Sequence, residues 1–199
     1  MVIRPIVPLT PTSKVLRSRA PSVKAPGQIE SVMVDLVDTW PTQRALGIAA
    51  PQIGVRQRLF IFRSHDAEDA PPEILINPKI IRAQGTLEDY EGCLSIAHLY
   101  GRCAREAVIE VTALDVHFER VRRRFEGYDA RIIQHELDHL DGVLYIDRLE
   151  DWYTLHQVRQ EAGESDPETT EWEAVPPPAS VISTLQQLAR PLPGYALRW

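Results

Sequence analysis

Two histidines and a glutamate lie close together in the segment QHELDHLDG, residues 134–142. A helix places residues four positions apart on one face, so His135 and His139 can bind a single cation. Glu136 lies beside the open coordination position of such an ion, where a carboxylate can act as a general base. This H-E-x-x-H spacing predicts a metal site. The alternative is an amphipathic surface helix that carries two exposed histidines.

Two histidines leave a metal site of this kind one protein ligand short. Downstream carboxylates are one source of a third ligand, and the candidates are Glu150, Glu161 and Glu164. Upstream, Cys93 in the segment YEGCLSI offers a thiolate, and a Cys/His/His set with an open fourth position occurs in catalytic zinc sites. Cys93 can also be interpreted as a small buried apolar residue. The residue types alone leave these choices open.

The composition is that of a soluble globular domain with one sizeable core. The chain has 199 residues, of which 44% are hydrophobic and 25% charged, with a formal charge of -6. This balance argues against direct nucleic-acid readout, and the basic run RVRRR, residues 120–124, is interpreted as a solvated strand face. We find no signal-peptide pattern and nothing close to the roughly twenty apolar residues of a membrane span. Two cysteines are too few for a disulfide framework, so we expect a cytoplasmic protein that does not enter a membrane.

The elements that must position the metal site follow from the periodicity of the apolar residues. Helical spacing predicts one helix over residues 28–40 and another over 129–142, the segment that carries both histidines. Between them, short apolar or alternating runs predict strands at 58–62, 73–78 and 107–116, and residues 120–128 complete a hairpin with the last of these. Several strands followed by a helix predict an α+β fold rather than a wound α/β sheet.

The character of the chain changes after residue 148. Residues 151–162 are compatible with a helix, residues 163–180 form an acidic, proline-rich linker or surface segment, and residues 181–190 can form a short last helix. We therefore divide the chain into a catalytic domain, residues 1–150, and a C-terminal extension, residues 151–199, which is not a separate domain. The extension can shield a groove, mediate dimerisation or be disordered.

Three segments, GIAAPQIG (47–54), EGCLS (91–95) and QHELDHLDG (134–142), occur in this order at suitable separations. Together they closely resemble the three motifs of peptide deformylases, and the resemblance covers roughly residues 12–150. It implies an α+β fold with antiparallel or mixed sheets around a central metal-binding helix. It also implies an enzyme that removes the N-formyl group from the initiator methionine of nascent bacterial or organellar polypeptides. The implied partners are a formylated peptide and, as a further candidate, the ribosome, for a monomer or a homodimer.

The resemblance also implies a role for each matching residue. Cys93, His135 and His139 are the expected metal ligands, and Glu136 is the expected catalytic acid and base. The side-chain amide of Gln52 and the backbone N–H of Leu94 are expected to donate to the oxyanion, where losing one donor typically costs about 2.7–4 kcal/mol. The expected substrate-binding residues are Gly47, Ile48, Tyr100, Arg105 and Ile132. Fe²⁺ is the implied working ion, with Zn²⁺, Ni²⁺ or Co²⁺ as substitutes, although intrinsic affinity favours zinc over ferrous iron.

The sequence departs from the family pattern at two positions near the expected substrate groove. Ala45 stands where the first motif usually begins with glycine, and alanine resists a positive φ. Tyr100 stands where members often carry an arginine that helps to hold the peptide, and Arg102 is a candidate substitute offset by two positions. Two alternatives to nascent-chain deformylation therefore stay open. One is a deformylase for a small formylated metabolite, and the other is a non-catalytic relative in which the metal only holds the fold.

The remaining histidines and the second cysteine receive structural interpretations. The histidines interpreted as surface or strand residues are His65, His98, His117 and His156. Cys103 is interpreted as a packed strand residue rather than a redox partner of Cys93. None of these residues is expected to take part in the chemistry.

Overall fold

The computed structural model describes residues 2–43, 45–67, 70–160, 172–190 and 192. These residues form an α+β fold, which confirms the predicted class. In chain order, the helices and strands are α1 (Glu30–Thr39), β1 (Gly47–Ala49), β2 (Leu59–Phe62), β3 (Glu73–Gln84), β4 (Leu87–Cys93), β5 (Ile96–Arg105), β6 (Val108–Leu114), β7 (Arg120–Glu126), α2 (Gly127–Asp141), β8 (His156–Gln160), β9 (Trp172–Val175) and α3 (Ala179–Leu188). In the part of the chain described, no helix is both long enough and apolar enough to cross a lipid bilayer.

The strands form two sheets, and every pairing described is antiparallel. One sheet has five strands in the order β1-β2-β3-β6-β7, and the other has four in the order β4-β5-β8-β9. Helix α2 packs its apolar residues, among them Ile133 and Leu140, into the core of the five-stranded sheet. Its polar side, with Arg131 and His135, meets strand β4 of the second sheet at Glu91. The motif-bearing helix therefore joins the two sheets.

The predicted elements of the first 142 residues are confirmed, with shifted boundaries. The third strand runs on to Gln84, beyond the predicted end at residue 78, and α2 begins at Gly127 rather than at residue 129. Asp129 therefore lies in the first turn instead of capping it, where its carboxylate accepts hydrogen bonds from Ser64 Oγ and the His65 backbone N–H. Strands β1, β4 and β5 were not predicted, although β4 ends at Cys93.

The predicted helix over residues 151–162 is wrong. A short 3₁₀ turn, Trp152–Thr154, leads into strand β8, which pairs with the edge of β5. The main-chain hydrogen bonds offered by that edge and the burial of Leu155 outweigh the helical propensity of the segment. The short last helix is confirmed as α3. Glu161, Glu164 and residues 163–171 of the acidic segment lie outside the described residues.

The described part of the extension packs on the catalytic domain. Leu155 and Leu185 share a buried cluster with Cys103, Tyr145 and Leu149. Cys103 is fully buried on β5, as interpreted from the sequence, and burial raises the pKa of its thiol well above the ordinary value. The division at residue 150 stays a prediction, and this shared core is consistent with an extension that is not a separate domain.

Candidate active site

The three predicted metal ligands converge although they come from two elements. Cys93 ends β4, and His135 and His139 lie one turn apart on α2. Their ligand atoms all lie within 4.8 Å of one another, with Cys93 Sγ 3.3 Å from His139 Nε2. Distances of about 2.0–2.3 Å from one ion to thiolate and imidazole ligands fit this spacing. Glu150 does not join this cluster, so among the described candidates for the third position only Cys93 lies beside the two histidines.

Glu91 fixes the orientation of the first histidine. Its buried carboxylate lies 3.0 Å from His135 Nδ1, which leaves Nε2 of that ring for a cation. Arg105 donates two hydrogen bonds of 2.7 Å to the same carboxylate, and Arg131 donates a third of 2.6 Å. Burial alone would raise the pKa of Glu91, but the charge and hydrogen bonds of Arg105, together with those of His135, outweigh burial and lower the pKa well below its usual value. The carboxylate therefore stays charged beneath the site.

The surroundings of the two histidines shift their pKa values in opposite directions. Burial and the neighbouring His135 hold the pKa of His139 well below its usual value, which keeps that ring neutral and ready to ligate. Burial also disfavours the charged form of His135, but its hydrogen bonds to Cys93 and Glu91 outweigh burial and raise its pKa. A bound cation replaces the ring proton in such a position.

Arg105 does not have the predicted contact with substrate. Its side chain is buried and pairs with Glu91 and with Asp138 on α2. Arg148 binds the same Asp138 carboxylate at 2.6 Å. We correct the role of Arg105 from substrate binding to positioning, because a guanidinium held by two buried carboxylates has no free face toward the groove.

Glu136 stands in the surroundings that a proton carrier needs. The side chain is buried, and its Oε2 atom receives no hydrogen bond from any described residue. Burial raises the pKa of Glu136 to about 7. A carboxyl group with this pKa can both accept and return a proton near neutral pH.

Gly47 on β1 packs directly against this carboxyl group. A Cβ atom at residue 47 would lie 2.7 Å from Glu136 Oε1 and 2.9 Å from its Cδ. Neither distance is compatible with an unshifted side chain. Glycine is therefore required here for space, since its φ is not in the left-handed region.

We expect Gly47→Ala to displace Glu136 and to lower both stability and turnover. Overpacking of this kind typically costs about 1–3 kcal/mol of stability, and a displaced base lowers kcat. Urea unfolding and a formate-release assay measure the two effects. Gly27→Ala is the matched control, because a Cβ there meets nothing within 4 Å. Equal stability and turnover in the two variants would show that the carboxyl group does not depend on this close contact.

Gln52 and Leu94 flank the thiolate. Gln52 is buried in a short 3₁₀ helix, Ala50–Ile53, and its Oε1 accepts the Ala49 backbone N–H at 2.8 Å. This bond directs the Nε2 donor toward Cys93 Sγ, 3.6 Å away. Leu94 follows Cys93 in the turn between β4 and β5 and lines the same groove.

The groove beside these groups encloses about 490 Å³. Gly47, Tyr100 and Ile132, three of the predicted substrate-binding residues, line it. Ile48 does not, because its side chain is buried in the core cluster on the other side of β1, and we correct that prediction. The mainly apolar remainder of the groove includes Ile6, Leu46, Tyr128 and His98.

The two sequence departures have clear structural outcomes. Ala45 has no positive φ, and its carbonyl accepts a hydrogen bond of 2.7 Å from Trp40 Nε1, so a methyl group is tolerated. Tyr100 lies on the groove wall. Arg102 does not replace the missing arginine. It forms an ion pair with Glu88, with an N···O distance of 2.6 Å, and it does not line the groove.

Sequence reasoning missed several residues around the site. Glu91 lies inside the quoted EGCLS motif, so a charged residue beside a ligand cysteine was the available signal. Arg131 is on the helical face of His135 and could have been found from its spacing of four. His98, interpreted as a surface or strand residue, lines the groove with a φ of 62°, and no sequence signal indicates this.

An α+β fold that brings a cysteine, two histidines and a buried carboxyl group to one groove has the arrangement that is typical of a metal-dependent hydrolase. The polypeptide deformylase family model matches residues 3–154. A peptide deformylase of Dehalococcoides mccartyi is 39% identical over 159 residues, which are 79% of this chain and 93% of that protein. The crystal structure of a peptide deformylase from Thermotoga maritima has a TM-score of 0.69 at 33% identity and covers 75% of this chain and 99% of its own. A Met-Ala-Ser-bound class I type b peptide deformylase from Acinetobacter baumannii has a TM-score of 0.67 at 30% identity, covering 74% of this chain and 100% of its own.

This chain therefore belongs to the polypeptide deformylase family, a family of enzymes.

Proposed function

We propose that the protein hydrolyses the N-formyl group from N-formylmethionyl peptides of nascent proteins and releases formate. The observation that carries this proposal is the Cys93, His135 and His139 ligand set beside a Glu136 carboxyl group that has an unpartnered oxygen. The relative bound to Met-Ala-Ser adds support, because Met-Ala-Ser is the peptide that remains when formyl-Met-Ala-Ser loses its formyl group.

The ligand set suits one divalent cation, and we propose Fe²⁺ as the working ion, with Zn²⁺, Ni²⁺ or Co²⁺ as substitutes. When bound, the ion supplies Lewis acidity and a water whose pKa is lowered toward about 7. Glu91 keeps His135 in the orientation that ligation needs. Arg105 and Arg131 keep Glu91 charged.

The protein side chains then move the proton and stabilise the charge. Glu136 accepts the proton of the attacking water at its free Oε2 and returns it to the nitrogen of the leaving amine. Gln52 Nε2 and the Leu94 backbone N–H donate to the oxygen that becomes negative as the formyl carbon turns tetrahedral. Ile132 and Tyr128, on the apolar part of the groove, are suited to the methionine side chain.

We place the reaction in the cytoplasm, where nascent chains are made, and two free thiols suit a reducing compartment. The ribosome is the proposed source of the substrate. We leave the choice between a monomer and a homodimer to a measurement of mass in solution.

A substrate comparison tests the proposed function. The iron-loaded protein, prepared without oxygen, is expected to cleave formyl-Met-Ala-Ser with a kcat/KM at least 100-fold above that for N-methylformamide, because contacts along the groove contribute to the transition state. Formate release and metal content are measured on the same sample. A small formylated compound cleaved as efficiently as the peptide would instead favour the specialised deformylase. Full metal loading without turnover of any substrate would favour the non-catalytic relative.

A further inference from the structure

The C-terminal extension contributes a side chain that packs against Tyr100, a residue of the groove wall. The family model ends at residue 154, and His156 lies just beyond it at the start of β8. His156 is directly opposite Tyr100 in the pairing of β8 with β5. The two rings are stacked, with centroids 5.7 Å apart and an interplanar angle of 18°. The imidazole also meets Tyr90 edge to face, with centroids 4.9 Å apart.

The Tyr100 ring also packs against β4, the strand that ends at Cys93. Tyr100 pairs with Gly92, the neighbour of Cys93, and a Cβ at residue 92 would lie 2.5 Å from Tyr100 Cε1. The ring therefore lies close to Gly92 and is also stacked with His156. It is fixed at a groove position next to the reacting centre.

Among the described lining residues, the charges close to this wall are already neutralised. Glu91 and Arg131 pair with each other at 2.6 Å and are buried. An aromatic wall offers contact area rather than a point charge, so it attracts apolar and aromatic side chains.

We propose that His156 is a positioning residue that holds Tyr100 as an aromatic wall, which selects substrates with an apolar or aromatic residue after the formylated one. The stack fixes the ring before the substrate arrives, so its loss weakens ground-state binding and leaves the chemical step intact. This inference rests on the proposed function. His156 belongs to the C-terminal extension and lies beyond the residues that the family model matches, so the extension would take part in substrate selection.

His156→Leu tests the proposal, because leucine fills the space without offering a ring. We expect the KM for formyl-Met-Phe-Ser to rise about two- to tenfold, the scale of one aromatic pair. The KM for formyl-Met-Ala-Ser is expected to change by less than twofold, and kcat is expected to stay unchanged for both. His156→Phe keeps a ring and is expected to behave as the wild type. His117→Ala, which removes an exposed imidazole from the β6–β7 turn, is the control.

A double variant separates positioning from a general loss of structure. In a Tyr100→Leu background the wall is already gone, so His156→Leu is expected to add nothing further to the KM for formyl-Met-Phe-Ser. An additive effect, or equal changes in kcat for both peptides, would overturn the proposal. If His156→Leu does not fold at the assay temperature, His156→Gln is measured with the same expected outcomes.

The two proposals fail in different ways. A wild-type protein that releases no formate from either peptide contradicts the proposed function. The wall is then tested by calorimetric binding of Met-Phe-Ser and Met-Ala-Ser. A wild type that cleaves both peptides, with the same KM values in His156→Leu, overturns only the role of His156.

Discussion

Replacement of Glu136 by glutamine is expected to lower kcat for formate release by about 10²–10⁴-fold, the usual contribution of a general acid–base group. Glutamine has nearly the same shape but cannot take a proton from water at neutral pH. The three proposed ligand atoms belong to Cys93, His135 and His139, so the metal content of the variant is expected to match that of the wild type. Turnover of formyl-Met-Ala-Ser and metal analysis on one preparation provide both readings.

Glu119→Gln is the control for this experiment, because it makes the same chemical change at an exposed position in the β6–β7 turn. It is expected to leave kcat and metal content unchanged. If Glu136→Gln retained full metal and wild-type turnover, the proton would have to travel through another group, and the mechanism given above would be incorrect.

Glu91→Gln is expected to cost about 3–5 kcal/mol of unfolding free energy, the range seen when one partner of a buried ion pair is removed. The loss is large because this one carboxylate neutralises Arg105 and Arg131 inside the protein and also holds His135. Metal affinity is expected to fall about 10–100-fold, as it does when a group that orients a ligand histidine is lost. Urea unfolding of the metal-free protein and a competitive chelator titration measure the two effects.

Glu88→Gln is the matched control on the same strand. Glu88 pairs with Arg102 at 2.6 Å, but both side chains are about half exposed. An exposed pair of this kind contributes about 0–1 kcal/mol. If the two variants lost the same stability, the buried carboxylate would not be the centre of charge compensation under the site.

The sequence predicted the chemistry of the candidate site better than it predicted the structure that supports the site. Helix α2 was predictable because its apolar residues repeat at helical spacing over the whole element, and the same spacing places His135 and His139 together. The α+β class followed from the change between alternating and helical periods. Only the resemblance to a family favoured Cys93 over downstream carboxylates, because spacing on one helix says nothing about a ligand from another element.

The remaining features depend on tertiary pairing, which a single sequence does not show. Strand β8 forms because an edge of β5 is available, so its local composition indicated a helix incorrectly. The family resemblance placed Arg105 among the substrate-binding residues, and only the folded chain shows that it lies between Glu91 and Asp138. Strand β1 has only three residues, so its sequence does not show which side Ile48 faces. The position of the core cluster in the folded chain decides it.

The hydrogen bond between Gln52 Oε1 and the Ala49 backbone N–H has a consequence for catalysis. It uses the acceptor half of the side-chain amide within the protein, so the donor half is already aimed when the substrate arrives. Because of this preorganisation, the Gln52 amide dipole does not need to reorient as charge develops on the substrate oxygen. The energy of orienting the dipole is spent during folding and not during the reaction. A glutamate at this position would present an acceptor to a growing negative charge. In the proposed mechanism, the contribution of Gln52 therefore depends on a backbone contact three residues away.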